Sequence, residues 1–410
     1  SFSYGTTSRQ AQEAIESKLE KRQRTTYGPA GSKNALVVVI DDMNMPRKSQ
    51  FGSQEPIEML RQILEYGFVY ERASMQTSPP QKHIIDFQIL GTMAPPGGAR
   101  EVLSERLMTK CVVLYIPFSE DAQIRRVYRT IAATHLLGFE ESVKGLAPAL
   151  ANATLEVFKS VRDEFLPTPA CPHYQFTLRD VAAVFQGVLR SDSKFTDTKE
   201  AMARLWVHEC IHVFGDRLVS EKDHARLLEI LNQRASEPQG FEMNIRKIFR
   251  ESSAPVYSDL LADDAAIAAL AATAANSMLE DADERAPYMD ITTRSDELRS
   301  FLEARIAEFN RDPTKDKQDL VLFKDAVDHV LRIYRALTES RGHCLLVGVG
   351  GSGRQAMGRL GAYLAGLKVR QIHPSAKYDV RAFRDDLKEL FLNCGVKRQP
   401  TALMMTDMQI

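Results

Sequence analysis

The stretch from His343 to Met357, HCLLVGVGGSGRQAM, constrains this chain more than any other. An apolar run, Cys344 to Val347, predicts a strand that passes into a glycine-rich loop and then a helix. That order lets backbone N–H groups and the positive end of a helix cradle phosphate groups. Gly348 and Gly353 stand where GxxxxGK[ST] has its two glycines, with Gly350, Gly351 and Ser352 between them. Two positions depart from the pattern. Arg354 replaces the lysine that reaches the outer phosphates, keeping the charge in a planar, bulkier group. Gln355 replaces the Ser/Thr hydroxyl that would ligate Mg²⁺, and an amide is a poorer magnesium ligand. The loop therefore reads as a phosphate binder poorly equipped for catalysis. The competing reading is a strand-to-helix turn with no ligand.

A second element of the same chemistry lies near the other end. Leu36 to Ile40 is a continuous apolar, mostly β-branched run, which predicts a strand buried on both faces that delivers Asp41 and Asp42 at its C-terminal end. In a Walker B element the first carboxylate holds Mg²⁺ and the second orients the attacking water. Asp42 is one methylene shorter than the usual glutamate, which predicts slow hydrolysis at best. An acidic turn facing solvent is the alternative. Leu403 to Met405, followed by Thr406 and Asp407, repeats the form of strand to carboxylate. A phosphate loop precedes its carboxylate strand in P-loop proteins, so the Gly348 loop pairs with Asp407. Asp41 then needs a phosphate loop before Ser1, and the chain reads as an excerpt covering two consecutive modules, each cut.

At 410 residues, two or three domains are expected, each able to bury a core. Lys+Arg 53 against Asp+Glu 54 gives a net charge of -1, which implies no overall attraction to nucleic acid or anionic membrane. Five dispersed cysteines without a CxxC pair fit a reducing compartment better than a disulfide or zinc framework. No apolar run is long enough to span a bilayer.

Between the two elements the periodicity predicts an organised α/β region followed by helices. A charged helix is expected over 9–24, a helix over 56–66 bracketed by Pro56 and Gly67, and strands at 68–70, 84–90 and 111–116. GTMAPPGGAR, after the 84–90 strand, falls where a γ-phosphate sensor would sit. From Ser119 the pattern turns to successive helices, at 121–137, 148–164, 178–189, 198–217 and 221–235. Arg179 is expected in the first turn of one of them, placed to reach an anion or simply solvated. Residues 262–275 are alanine-rich and read as an insert or linker helix. Helices at 297–309, 320–337 and 380–394 complete the pattern.

His208-Glu209-Cys210-Ile211-His212 matches HExxH, which on a helix sets two imidazoles one turn apart for zinc, with the glutamate as base. No third ligand follows at a recognised spacing. The segment from Arg204 to Arg217 is also a good amphipathic helix in its own right, so a packing role is favoured over a metallopeptidase.

VVVIDDMNMP, FGSQEPIEMLRQ, GTMAPPGG, FTLRDVAAVFQGVL, RLWVHE with FGDRL, and LLVGVGGSGRQ with MTDMQI together closely resemble the motor ring of dynein heavy chains. The resemblance covers nearly the whole chain except the alanine-rich segment, and DDMNMP and GGSGRQ look more like axonemal than cytoplasmic forms. It implies α/β P-loop AAA+ modules, parallel sheets with flanking helices, plus an α-helical lid. Residues 1–118 would be the C-terminal part of the large subdomain of the third module, 119–280 its helical lid with the alanine-rich linker, and 281–410 the start of the fourth module.

Carried over residue by residue, Asp41 and Asp407 would be Walker B magnesium carboxylates, with Asp42 in the catalytic position. Gly348, Gly350, Gly351, Ser352, Gly353, Arg354 and Gln355 would form the nucleotide-binding loop, and Arg179 the second-sensor arginine. Arg106 would match an arginine finger. Ala94 occupies the sensor-asparagine position, Thr109 the place of a second arginine, and Met408 that of a glutamate. The implied cofactors are ATP or ADP with Mg²⁺. The implied role is nucleotide-dependent regulation within an ATP-driven, minus-end-directed microtubule motor of the ciliary axoneme. Its partners would be the neighbouring AAA+ modules and, through other parts of the protein, microtubules and dynein intermediate and light chains. A non-motor AAA+ remodelling ATPase is the alternative.

Overall fold

The computed structural model describes residues 1–31, 33–72, 80–98, 100–245, 249, 254–262, 286–311, 317–339, 341–372 and 378–406. The chain divides into two compact units, Ser1–Phe118 and Ser119–Ile410.

In the first unit, α1 (Ser8–Glu16) opens on a capping box between Thr7 and Gln10. It ends sooner than its charge pattern predicts. Residues of the expected 9–24 helix become β1 (Leu19–Gln23), which pairs antiparallel with β2 (Thr26–Pro29), so a hairpin overrides helix propensity there. β3 (Leu36–Ile40) is followed by α2 (Glu55–Tyr66), with Pro56 in its first turn and Gly67 as a left-handed C-cap at φ 73°. β4 (Phe68–Tyr70), β5 (Gln81–Ile84), β6 (Phe87–Gly91) and the short α3 (Glu105–Met108) complete the unit. The expected 84–90 strand is thus two, broken at Asp86, whose φ is 54°.

β3 and β6 pair in parallel, from Leu36 opposite Phe87 to Ile40 opposite Gly91. A separate four-stranded sheet runs β1-β2-β5-β4. Ile57, Leu60 and Ile63 of α2 pack with Ile40, Val69 and Leu107 in the core. β3 is covered on one face only: Val37 and Val39 are 52% and 61% exposed, against the expectation of burial on both faces. Residues 111–116 form no strand either, and Val112 to Ile116 are exposed. An apolar β-branched run becomes a strand only against a neighbour's hydrogen-bonding edge, and the described residues offer it none.

The second unit begins with a helical body: α4 (Asp121–His135), α5 (Glu141–Lys144), α6 (Ala147–Glu164), α7 (Leu178–Val188), α8 (Lys199–Cys210) and α9 (Glu221–Ser236). A π-helical turn, Ile211–Gly215, extends α8. The core gathers around Trp206, Phe158, Phe214 and Phe241, each fully or almost fully buried. Trp206 Nε1 donates to Thr154 Oγ1 at 2.9 Å, so its polar edge is satisfied inside an apolar core. A two-residue antiparallel clip, β7 (Tyr257–Ser258) with β8 (Met289–Asp290), lies against α8. Almost all of the alanine-rich 262–275 stretch lies outside the described residues.

α10 (Ser295–Arg311), α11 (Lys324–Thr338) and α12 (Arg354–Leu364) surround a further core of Leu298, Leu302, Val330, Ile333, Met357 and Leu360. β9 (Lys368–Gln371) and β10 (Thr401–Met404) pair in parallel on either side of α13 (Val380–Phe391). Parallel pairing across an intervening helix is the βαβ arrangement of an α/β sheet. The expected 380–394 helix changes to a π-helical turn at Leu392–Val396.

Candidate functional site

In the first unit the acidic residues sit where β3 ends beside β6. The Thr92 N–H donates to the Ile40 carbonyl at 2.9 Å, and the Met43 N–H donates to the Thr92 carbonyl at 3.0 Å, lacing the two strand ends together. Asp41 is exposed, and the Thr92 hydroxyl donates to its Oδ1 at 2.6 Å. Asp42 takes a left-handed backbone, φ 55°, a conformation aspartate tolerates better than most residues. Its Oδ1 lies 3.8 Å from Nη2 of Arg100. Gly91 lies close under Met43: an added methyl would fall 2.5 Å from its sulfur, so that side chain would have to shift.

Asn44 belongs to this site and was not among the residues predicted. It is fully buried, and its Nδ2 donates to the Ala94 carbonyl at 2.9 Å. Its backbone carbonyl accepts from the Glu101 N–H at 2.9 Å. Asn44 therefore fastens the acidic turn to the segment where Ala94 offers no polar side chain. The asparagine inside DDMNMP was the available signal. Arg106 lies on α3, exposed, beside the buried anchor Leu107.

In the second unit the glycine loop runs directly into α12. Gly351 and Gly353 have φ 81° and 75°, left-handed conformations that favour glycine. Gly353 is the N-cap of α12 and makes no side-chain cap there. Gly348 lies under its neighbours: a Cβ there would meet Ser352 Oγ at 3.2 Å and Arg354 Cδ at 3.5 Å. Gly350 and Gln355 are exposed, and Arg354 is half-buried. Gly358 seats α12 on the sheet, with Met404 of β10 and Leu346 as its near neighbours. β10 leads toward Asp407, which with Met408 lies outside the described residues. The strand predicted at 344–347 makes no ladder, and Leu345 and Val347 are 88% and 82% exposed. Its apolar sequence lacks a strand neighbour among the described residues.

Arg179 lies exposed in the first turn of α7. That turn is fixed by a capping box: the Thr177 N–H donates to Asp180 Oδ2 at 2.6 Å, and Arg217 donates to Asp180 Oδ1 at 2.6 Å.

The HExxH residues are committed elsewhere. His208 Nδ1 lies 3.0 Å from the Pro255 carbonyl and Nε2 lies 2.9 Å from the Tyr288 hydroxyl. His212 Nδ1 pairs with Asp216 at 3.0 Å. Glu209, fully buried, accepts from Tyr288 and is ion-paired with Arg335. Burial holds the His208 imidazolium well below its ordinary range, helped by His212 and Arg335. Both ring nitrogens of His208 are thus occupied. Among the described residues no group of three or more His, Cys, Asp or Glu could hold a metal ion. No helix of the described residues is long and apolar enough to cross a membrane.

A glycine loop that opens a helix without a side-chain cap, an apolar strand that ends in carboxylates and a helical body are the marks of P-loop modules with a lid. Three family comparisons agree: residues 1–119 match a P-loop containing dynein motor region, 131–224 the dynein heavy chain ATPase lid domain, and 318–410 a P-loop containing dynein motor region D4. The chain is 37% identical to mouse dynein axonemal heavy chain 2 over 99% of its length, and 36% identical to the human protein of that name over 99%. It is also 36% identical, over its whole length, to the Chlamydomonas reinhardtii dynein-1-beta heavy chain of the flagellar inner arm I1 complex. In each case it spans 8% of the relative. The chain belongs to the dynein heavy chain family, as a stretch of its motor region. The remodelling-ATPase and metallopeptidase alternatives are not favoured.

Proposed function

We propose that this stretch contributes two nucleotide-responsive sites to the ring of an ATP-driven, minus-end-directed microtubule motor of the ciliary axoneme. Residues 1–118 and 119–280 would be the large-subdomain remainder and lid of the third module, and 281–410 the start of the fourth. The observation that carries the reading is the left-handed Gly353 at the uncapped start of α12. There the Gly348, Gly350, Gly351, Ser352 and Gly353 backbone would hold the phosphates of ATP or ADP, with Arg354 supplying positive charge.

Asp407 would hold Mg²⁺ for this loop, and Asp41 would hold it for a loop preceding the chain. Exposed Asp41, oriented by Thr92, has the chemistry for a hard cation. Asp42, one methylene shorter than the usual glutamate, would be a slow base, and Gln355 a poor magnesium ligand. Both sites would therefore bind and regulate more than they turn over, with Arg179 and Arg106 as charge sensors toward bound or neighbouring nucleotide. Partners would be the adjacent modules and, through other parts of the heavy chain, microtubules and intermediate and light chains.

The test is photo-crosslinking of an azido-ATP to the full heavy chain, followed by peptide mapping. Label in the peptide spanning 343–360, lost in Arg354→Ala, is expected. Absence of label there while other phosphate loops of the same chain are labelled would overturn the reading.

A further inference from the structure

Arginines in the helical body are almost all paired. Arg125 lies 2.5 Å from Glu156, Arg217 2.6 Å from Asp180 and Arg226 2.6 Å from Glu164. The other described arginines between 119 and 245 are paired likewise, except Arg126, Arg129 and Arg179. Arg126 and Arg129 stand three residues apart on α4 and so share one flank of it. Both are exposed, and neither has a carboxylate within 4.0 Å among the described residues. The acids of this region are claimed, Glu156 by Arg125 and Lys159, and Asp121 by Lys159. α4 thus carries two positive charges without local compensation.

These two arginines, with Arg125, border a groove of about 650 Å³ between α4 and the start of α6, and among the described residues no acidic side chain lines it. The hydroxyls of Thr130 and Thr134 donate back to carbonyls of their own helix, at 2.8 and 3.0 Å, which leaves the guanidinium groups as the groove's strong outward donors. Ala133, Leu137 just past the end of α4, and Pro148 of α6 give the same groove an apolar side. Leu137 is 72% exposed. α6 has no acidic residue in its first turn and no side-chain cap, so its positive end adds to the arginines instead of offsetting them. Both walls are helices packed into the core, α4 through Ile124 and Ala132 and α6 through Leu150, so the groove is formed before anything enters it.

We propose that this groove docks an acidic, amphipathic helix of a partner polypeptide, with carboxylates on Arg126 and Arg129 and apolar side chains over Ala133 and Leu137. The unpaired guanidinium groups select the charge, since arginine and carboxylate pair in a planar, two-bonded geometry. Charge alone would suit any anion. The apolar side narrows the choice, because a phosphate or a nucleic acid backbone would leave Leu137 and Pro148 facing water, whereas the apolar stripe of a peptide helix covers them. Length agrees: Arg126 and Leu137 lie about 16 Å apart along the helix axis, about three turns of a helix lying alongside. The nucleotide reading plays no part in this surface.

The probe is a synthetic helix of about fourteen residues, with glutamates along one side, leucines along the next and a benzophenone at its centre. It is photo-crosslinked to the full heavy chain at about 50 mM salt, where charge pairing is least screened, and the labelled peptide is mapped. Label within 121–152 is expected, and the Arg126→Ala, Arg129→Ala double variant should need about tenfold more probe. Leu137→Ser should weaken labelling as well, and a probe with glutamine for glutamate should leave 121–152 unlabelled. Arg126→Glu combined with Arg129→Glu should refuse the acidic probe and accept its lysine counterpart, a gain that misfolding cannot imitate. No label in 121–152, or undiminished labelling of the double alanine variant, would overturn the proposal. So would a polyglutamate without leucines, or a duplex oligonucleotide, that displaces the probe as well as the unlabelled helix does, since either would reduce the groove to a general anion surface.

Discussion

Glu209 shows how a single carboxylate can be indispensable without touching a ligand. It is fully buried against Arg335, and removing only one member of such a pair strands the other charge in a poor solvent. Arg335→Met should therefore destabilise the protein by about 3–5 kcal/mol. Adding Glu209→Gln should recover much of that loss, because the stranded charge is gone while the Tyr288 bond is kept. Urea unfolding of the two variants checks this, and equal losses would mean that the pair is not the source. Gly187→Ala should cost about 1–3 kcal/mol for the same carboxylate, now through overpacking. None of this was legible in the sequence. HExxH spells a metal site because its own residues are adjacent, whereas the partners that claim them lie 79 and 126 residues away, at Tyr288 and Arg335.

Elements that fold on local information were read well. Pro56 and Gly67 bracket α2 as expected, and the glycine loop ends where α12 begins, since caps and left-handed glycines act within a few residues. Strands were read less well because a strand is half of a pairing. Leu36 to Ile40 found β6, while the equally apolar 111–116 and 344–347 found no neighbour among the described residues. Helix contacts were equally invisible beforehand. Gly361 lies against Ile333, so Gly361→Ala should cost about 1–3 kcal/mol by overpacking, outweighing the helix propensity gain of about 1 kcal/mol. Combining it with Ile333→Ala should restore at least the steric part. Circular dichroism melts of the single and double variants decide it.

Across the whole molecule, buried histidines set a direction for stability against pH. His208 and His135 are both held below the ordinary value of 6.5 by burial. The folded chain therefore binds fewer protons than the unfolded chain below that pH, and stability must fall as the solution is acidified from about 6.5 downward. Guanidinium midpoints measured at several pH values should decline in that window for the wild type and decline less in His208→Gln.

The β7–β8 clip holds Tyr257 opposite Asp290 and Ser258 opposite Met289, and the Arg204 guanidinium fastens it to α8 through Asp290 at 2.7 Å. Chain that leaves at one rung and re-enters at the next adds nothing to the distance the fold must span. The clip is thus a seam: sequence of almost any length can be let in there during evolution, at an entropic cost that grows only with the logarithm of its length, while the elements on either side keep their spacing.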